Sequence, residues 1–151
     1  MNNPSESMTL IPYLNVDNAS DAINFYADAF GAVEIFRLTD PNDGRVGHAE
    51  LQFGSARIMI SDEYPDFGAL GPSTLGGTPV KLVLTVENAD EIYAQAIEQG
   101  AISLRKMRDE FHGVRSGQVA DPFGHVWFIQ SKSSALSPDE MQAKWNESAA
   151  N

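Results

Sequence analysis

The sequence predicts an α+β fold of two βαβββ modules, a pseudo-twofold duplication. Three observations carry this. Leu14-Asn15-Val16-Asp17-Asn18-Ala19 matches Leu84-Thr85-Val86-Glu87-Asn88-Ala89 at an offset of 70 residues. Gly47, Phe53 and Gly54 match Gly117, Phe123 and Gly124 at the same offset, as Arg45 matches Arg115. Between these blocks one residue is lost, since Gly31 answers to Gly100. The predicted organisation is a single domain over 1–151, with module one at 8–61, a linker at 62–78, module two at 79–131 and a C-terminal helix at 137–149.

Each element has a local reason. Residues 11–16 and 80–86 are runs of Val, Leu and Ile, the preference of strands. Ala19, Ala22, Ile23, Tyr26 and Phe30 recur at helical spacing, with Asn18 as N-cap and Gly31 as the stop. Ala89, Ile92, Tyr93, Ala96 and Ile97 repeat the pattern between Asn88 and Gly100. Second strands follow at 33–39 and 102–108. Third and fourth strands flank Phe53-Gly54-Ser55 and Phe123-Gly124-His125, which read as hairpin turns. The Gly-, Pro- and Asp-rich linker is long for a connection, as functional lids are. Ser137-Pro138-Asp139-Glu140 opens the last helix with a capping box and an early proline.

Composition excludes several classes. At 151 residues with 42% hydrophobic and 21% charged side chains, the chain is long and apolar enough for a core. Ten basic against 21 acidic residues give a net charge of −11, which disfavours nucleic acid and anionic membranes as partners. The chain has no cysteine, so disulfides, thiolate metal sites and cysteine nucleophiles are out. The polar start Met1-Asn2-Asn3-Pro4 is unlike a leader peptide, and no apolar run reaches membrane-spanning length. The expected location is the cytoplasm.

Strand alternation assigns faces. Leu14 and Val16 belong under the helix, and Tyr13 and Asn15 on the other side. Ala49, Leu51 and Phe53 point to the helix, so His48, Glu50 and Gln52 point away. His48 and Glu50 then form either an acid–base pair or a simple polar contact. Arg115, near Phe111-His112-Gly113, is an anion clamp or a surface ion pair. His125 belongs to a turn. Tyr64 and Phe67 from the linker offer further aromatic walls. Leu75-Gly76-Gly77-Thr78 lacks the spacing and the lysine of a phosphate loop, and no Gly-x-Ser-x-Gly elbow is present.

The duplicated module resembles the vicinal oxygen chelate superfamily, which includes glyoxalase I, extradiol dioxygenases and fosfomycin- and bleomycin-resistance proteins. Several stretches are similar to its PhnB-like branch. They are Ile11-Pro12-Tyr13-Leu14, Ala22-Ile23-Asn24-Phe25-Tyr26, Gly47-His48-Ala49-Glu50-Leu51, Ser61-Asp62-Glu63, Leu75-Gly76-Gly77-Thr78-Pro79-Val80 and Asp121-Pro122-Phe123-Gly124-His125. The resemblance implies a glyoxalase/bleomycin resistance-type cleft between the modules, a homodimer and a small-molecule ligand. It also implies metal ligands on the first and fourth strands of each module. Here those positions are Ile11, Ile58, Lys81 and Phe128, with Met59 and Ile129 as one-residue alternatives. None supplies a suitable lone pair, so no metal and no cofactor is expected.

Two readings follow. One is a metal-independent binding protein that holds or sequesters a ligand, as an antibiotic-resistance protein does, with Tyr13, His48, Glu50, Ile58, Lys81, Arg115 and Phe128 around it. The other is a glyoxalase-like lyase or isomerase using a divalent metal or the His48/Glu50 pair. In both, His48, Glu50 and Lys81 are expected to share one cavity.

Overall fold

The computed structural model describes residues 4–132 and 135–150. Met1–Asn3, part of the polar start, lie outside the described residues. Two compact units emerge, one ending at Thr74 and the other starting at Leu75. Both have the predicted βαβββ order.

In the first unit, β1 (Tyr13–Val16) leads into α1 (Ala19–Phe30), then β2 (Val33–Thr39), β3 (Val46–Phe53) and β4 (Ala56–Asp62). The sheet order is β1-β4-β3-β2. Only the β1–β4 pair is parallel, because α1 intervenes as the crossover. The Asn18 side chain accepts from the Asp21 N–H at 3.0 Å, and Gly31 ends the helix at φ 72°. A buried carboxylate ties the parts together: Asp62 accepts from the N–H groups of Ala19 and Val46, both at 2.7 Å. Ala22, Ile23 and Tyr26 of α1 are buried, as are Leu14, Val16, Ala49, Leu51, Ile58 and Ile60 of the sheet.

The connection after β4 is built rather than loose. It carries a 3-10 turn at Pro65–Phe67 and a short helix α2 (Pro72–Leu75). Glu63 accepts from the Gly71 N–H at 2.8 Å and the Thr74 hydroxyl at 2.9 Å. A side chain at Gly71 would lie 2.8 Å from the Asn15 carbonyl oxygen, so only glycine allows this approach.

The second unit repeats the plan with β5 (Lys81–Val86), α3 (Ala89–Glu98), β6 (Ile102–Asp109), β7 (Arg115–Ala120) and β8 (Val126–Ser131), in the order β5-β8-β7-β6. Asn88 caps α3 by accepting from the Glu91 N–H. The helix α4 (Pro138–Ala149) starts in a full capping box of Ser137 and Glu140 and buries none of its residues.

One sequence expectation needs correction. Leu51 pairs with Ile58, and Val119 with Trp127, all four being buried core residues. Val119 lies 68 residues beyond Leu51 and Trp127 lies 69 beyond Ile58, so the offset of 70 does not extend to these strands. Ile58 is therefore a core residue, and the counterpart of Phe128 is Met59, which pairs with Tyr13 and Glu50. Part of the reason is the hairpin. Gly54-Ser55 closes the first turn between Phe53 and Ala56, whereas Pro122-Phe123-Gly124 closes the second, with the Asp121 N–H donating to the His125 carbonyl at 2.8 Å. A two-residue turn has become a three-residue turn with glycine at φ 93°.

Candidate functional site

In the first unit the open face of the sheet, away from α1, carries Tyr13, His48 and Glu50. Their positions follow from register: Glu50 and Tyr13 both pair with Met59, so both point the same way. The Tyr13 hydroxyl lies 2.9 Å from His48 Nδ1, and His48 Nε2 lies 3.4 Å from Glu50 Oε2. Glu50 Oε1 also accepts from Arg57 at 3.4 Å. The imidazole sits between two rings, with centroids 5.5 Å from Tyr13 and 5.7 Å from Phe36. Exposure falls along the row: Tyr13 is 48% exposed, and the His48 and Glu50 side chains 24% and 14%. Tyr13 also lines a cavity of about 560 Å³ with Asn15, Ser61, Tyr64, Phe67 and Ala69. The linker aromatics thus share this cavity with Tyr13. Arg45 lies over the Tyr64 ring at 3.9 Å, and the Tyr64 hydroxyl donates to Asp40 at 3.1 Å. Burial and that Asp40 bond both raise the Tyr64 phenol above its ordinary pKa.

In the second unit the open face forms a larger cavity of about 920 Å³, between the sheet, the β6–β7 turn and α4. Phe128, Val83, Gln118 and Gln130 contribute from the strands, Phe111 and His112 from the turn, and Trp145 from α4. Phe111 and Trp145 meet edge to face at 5.4 Å. Arg105 forms the polar wall. It donates to the Ser116 carbonyl at 3.0 Å and the Ser116 hydroxyl at 2.8 Å, and pairs with Glu110 at 3.0 Å. Arg108 donates to the same Glu110 oxygen at 3.1 Å, and Ser116 at 2.9 Å. Burial pushes the Glu110 carboxyl up, but the hydrogen bonds from Arg108 and Ser116 and the charges of Arg105 and Arg108 outweigh it, leaving it below the usual 4.5. His112 Nδ1, in the same wall, is buried without a hydrogen-bond partner.

The depressed Glu110 sets a sign. A carboxylate with a lowered folded-state pKa stabilises the fold above its unfolded value, and that contribution is lost as pH falls through the folded value. Glu110→Gln should therefore lower the urea midpoint at neutral pH, and the gap should close as pH falls below the ordinary carboxylate range and through the depressed folded-state value. A constant gap across that range would count against the ion pair.

The expected site residues divide. Tyr13, His48 and Glu50 come together. Lys81 and Phe128 also meet, with the ammonium 5.4 Å from the ring centroid. Phe128 lines the larger cavity, but Lys81 does not. Glu50 lies beside His48 and Arg57 within the first unit. Arg115 stands in a surface ion pair: Asp90 holds it through Nε at 2.7 Å and Nη2 at 3.0 Å, with Asp109 at 3.3 Å. Its guanidinium is raised by the Asp90 and Asp109 bonds. Ile58 is in the core. Sequence reasoning missed Arg105, Glu110, Gln118, Gln130 and Trp145. Alternation in β7 and β8 reveals the two glutamines, since Val119 and Ile129 beside them are buried.

Nor do the residues present fit the metal of the metalloenzymes. The expected ligand positions hold Ile11, Ile58, Lys81 and Phe128, with Met59 as the open-face neighbour of Ile58, a poor donor set for a divalent ion. Among the described residues no group of three or more His, Asp or Glu side chains is placed to hold one.

The fold and the open sheet faces define a class. The chain belongs to the Glyoxalase/Bleomycin resistance protein/Dioxygenase superfamily, whose profile matches residues 8–129. An uncharacterized protein of Mycobacterium bovis is 40% identical over 137 residues, 89% of this chain and 90% of the relative. Among solved structures, the fosfomycin resistance protein FosX from Listeria monocytogenes is similar with a TM-score of 0.66 at 16% identity, over 89% of this chain and 97% of that one. A PhnB protein from Bacillus cereus reaches 0.65 at 17% identity, over 83% and 100%. At these identities the structural likeness speaks for the fold.

Proposed function

We propose that this protein is a metal-independent small-molecule binding protein, of the PhnB-like branch, that holds or sequesters an organic ligand on its open sheet faces. The observation that carries the reading is the cavity of about 920 Å³ in the second unit. It combines apolar and aromatic walls with a few placed polar groups, the composition of ligand pockets. The orphaned His112 Nδ1 adds to this, because a buried polar atom without a partner is costly until something bonds it. The test is a thermal-shift panel of aromatic carboxylates, aromatic amines and hydroxylated heterocycles, run on metal-stripped protein. At least one class should raise the Tm by several degrees, and Phe128→Ala should abolish that gain. Uniformly flat melts, or shifts that appear only on adding zinc, nickel or manganese, would defeat the reading.

A second reading, an acid–base lyase or isomerase, is favoured by the approach of His48 to Glu50. Both readings suit a cytoplasmic protein; no described helix is long and apolar enough to cross a membrane. We further propose a homodimer. Val33 and Leu38 leave large apolar side chains exposed on the edge strand β2. Sedimentation at micromolar concentration should show a dimer, and Leu38→Glu should shift it towards monomer.

A further inference from the structure

The first unit holds a polar row that ligand binding alone does not use. A carboxylate at Glu50 can only accept, which assigns the imidazole proton to Nε2. In the neutral ring Nδ1 is then an acceptor, and the Tyr13 hydroxyl donates to it. The carboxylate thus orients the imidazole, and the imidazole is a base for the phenol. The tilted contacts of Tyr13 and Phe36 with the ring help to fix that orientation. The inner end of the row is the least exposed, and the outer end stands in a cavity wall.

Tyr13 differs from Tyr64 and Tyr93 in what its hydroxyl meets. Tyr64 donates to Asp40, Tyr93 bonds the Ser103 hydroxyl, and Tyr26 is fully buried. A phenol next to a ring nitrogen can give up its proton without creating a free hydronium. A phenol that donates to a carboxylate is instead held in its neutral form.

We propose that Tyr13 is the proton-exchanging end of a Glu50–His48–Tyr13 relay, acting on a small molecule that presents a carbonyl or hydroxyl oxygen in the cavity of the first unit. In the basic direction the phenol proton passes to His48 Nδ1. The phenolate oxygen takes a proton from the ligand, and the imidazolium is balanced by Glu50. In the acidic direction the same protons return, and no other reactant is consumed. Tyr13 is the catalytic residue, and His48 and Glu50 are positioning residues behind it. The inference rests on the acid–base reading and extends it to the group that would touch substrate.

The test needs no substrate. N-acetylimidazole acetylates a phenol when a base removes its proton: the Oη–acyl bond forms, the acyl–imidazole bond breaks, the phenol proton goes to His48 Nδ1, and the departing imidazolide takes a proton from water. Mass spectrometry of the digested protein follows each tyrosine. Tyr13 should react about tenfold faster than Tyr64, and His48→Gln should remove that advantage while leaving the Tyr64 rate unchanged. Imidazole nitrogen shifts provide the second readout. They should show a protonated Nε2 in the parent chain and respond to both Glu50→Gln and Tyr13→Phe. If Glu50→Gln moves the shifts but Tyr13 acetylation ignores His48→Gln, the Tyr13 proposal fails and the His48–Glu50 pair stands. If the shifts ignore Glu50→Gln as well, the acid–base reading fails with it.

Discussion

Asp121→Ala is expected to cost about 3–4 kcal/mol of folding stability, the largest loss among the substitutions considered. Asp121 is 3% exposed. Its Oδ1 accepts from the N–H groups of Phe123 at 2.9 Å and His125 at 3.1 Å, and its Oδ2 from Trp127 Nε1 at 2.9 Å. One carboxylate therefore organises the three-residue turn and fixes the largest core side chain of the second unit. Alanine would leave three donors without it, each costing about 1–3 kcal/mol if no water reaches it, with partial relaxation lowering the sum. Asp121→Asn keeps an oxygen for the turn but turns an amide donor towards the indole N–H, so about half the loss should remain. Urea unfolding measures this as a lower midpoint at unchanged slope. An unchanged midpoint for the alanine variant would mean that the turn does not depend on this carboxylate.

Arg105→Met should have the largest effect on the cavity of the second unit. Methionine keeps much of the apolar stem but removes the polar contacts to the Ser116 carbonyl, the Ser116 hydroxyl, Glu110 and the Lys106 carbonyl. Arg108 still neutralises part of Glu110. The expected loss of stability is about 2 kcal/mol, below that of a fully buried pair. Ligand binding should weaken about tenfold or more for any compound the thermal panel finds, because the polar wall is no longer held in place. Adding Glu110→Gln should recover part of the stability and little of the binding. Full recovery of both would reduce the cluster to an ion pair with no part in the site.

The fold was legible because the duplication shows in residues with backbone reasons to recur. Asn18 and Asn88 cap helices, and Leu14, Val16, Leu84 and Val86 line corresponding strands. The candidate site was legible only in part. His48 and Glu50 could be paired because strand alternation holds within one strand. Ile58 could not be placed correctly, because a constant offset assumes that no residue enters or leaves the turns. Here the hairpin gained one, and a one-residue slip exchanges the faces of a strand. Arg105 was hidden by β6, whose pairing with β7 shifts register on both sides of it. Bulges of this kind break the alternation from which a face is inferred. Trp145 was hidden for another reason: its helix has no buried residue, so no apolar stripe in the sequence announces where it rests.

That placement of Trp145 has an optical consequence. The chain has two tryptophans, Trp127 at 3% exposure and Trp145 at 59%. An indole in a dry core emits to the blue of one in water, so their fluorescence separates by colour. Trp127 reports on the integrity of the fold, and Trp145, at the rim of the cavity against Phe111, reports on what enters it. A compound that quenches the red component and leaves the blue one untouched has entered beside α4 without loosening the core. Trp145→Phe would silence that signal while keeping a ring at the rim.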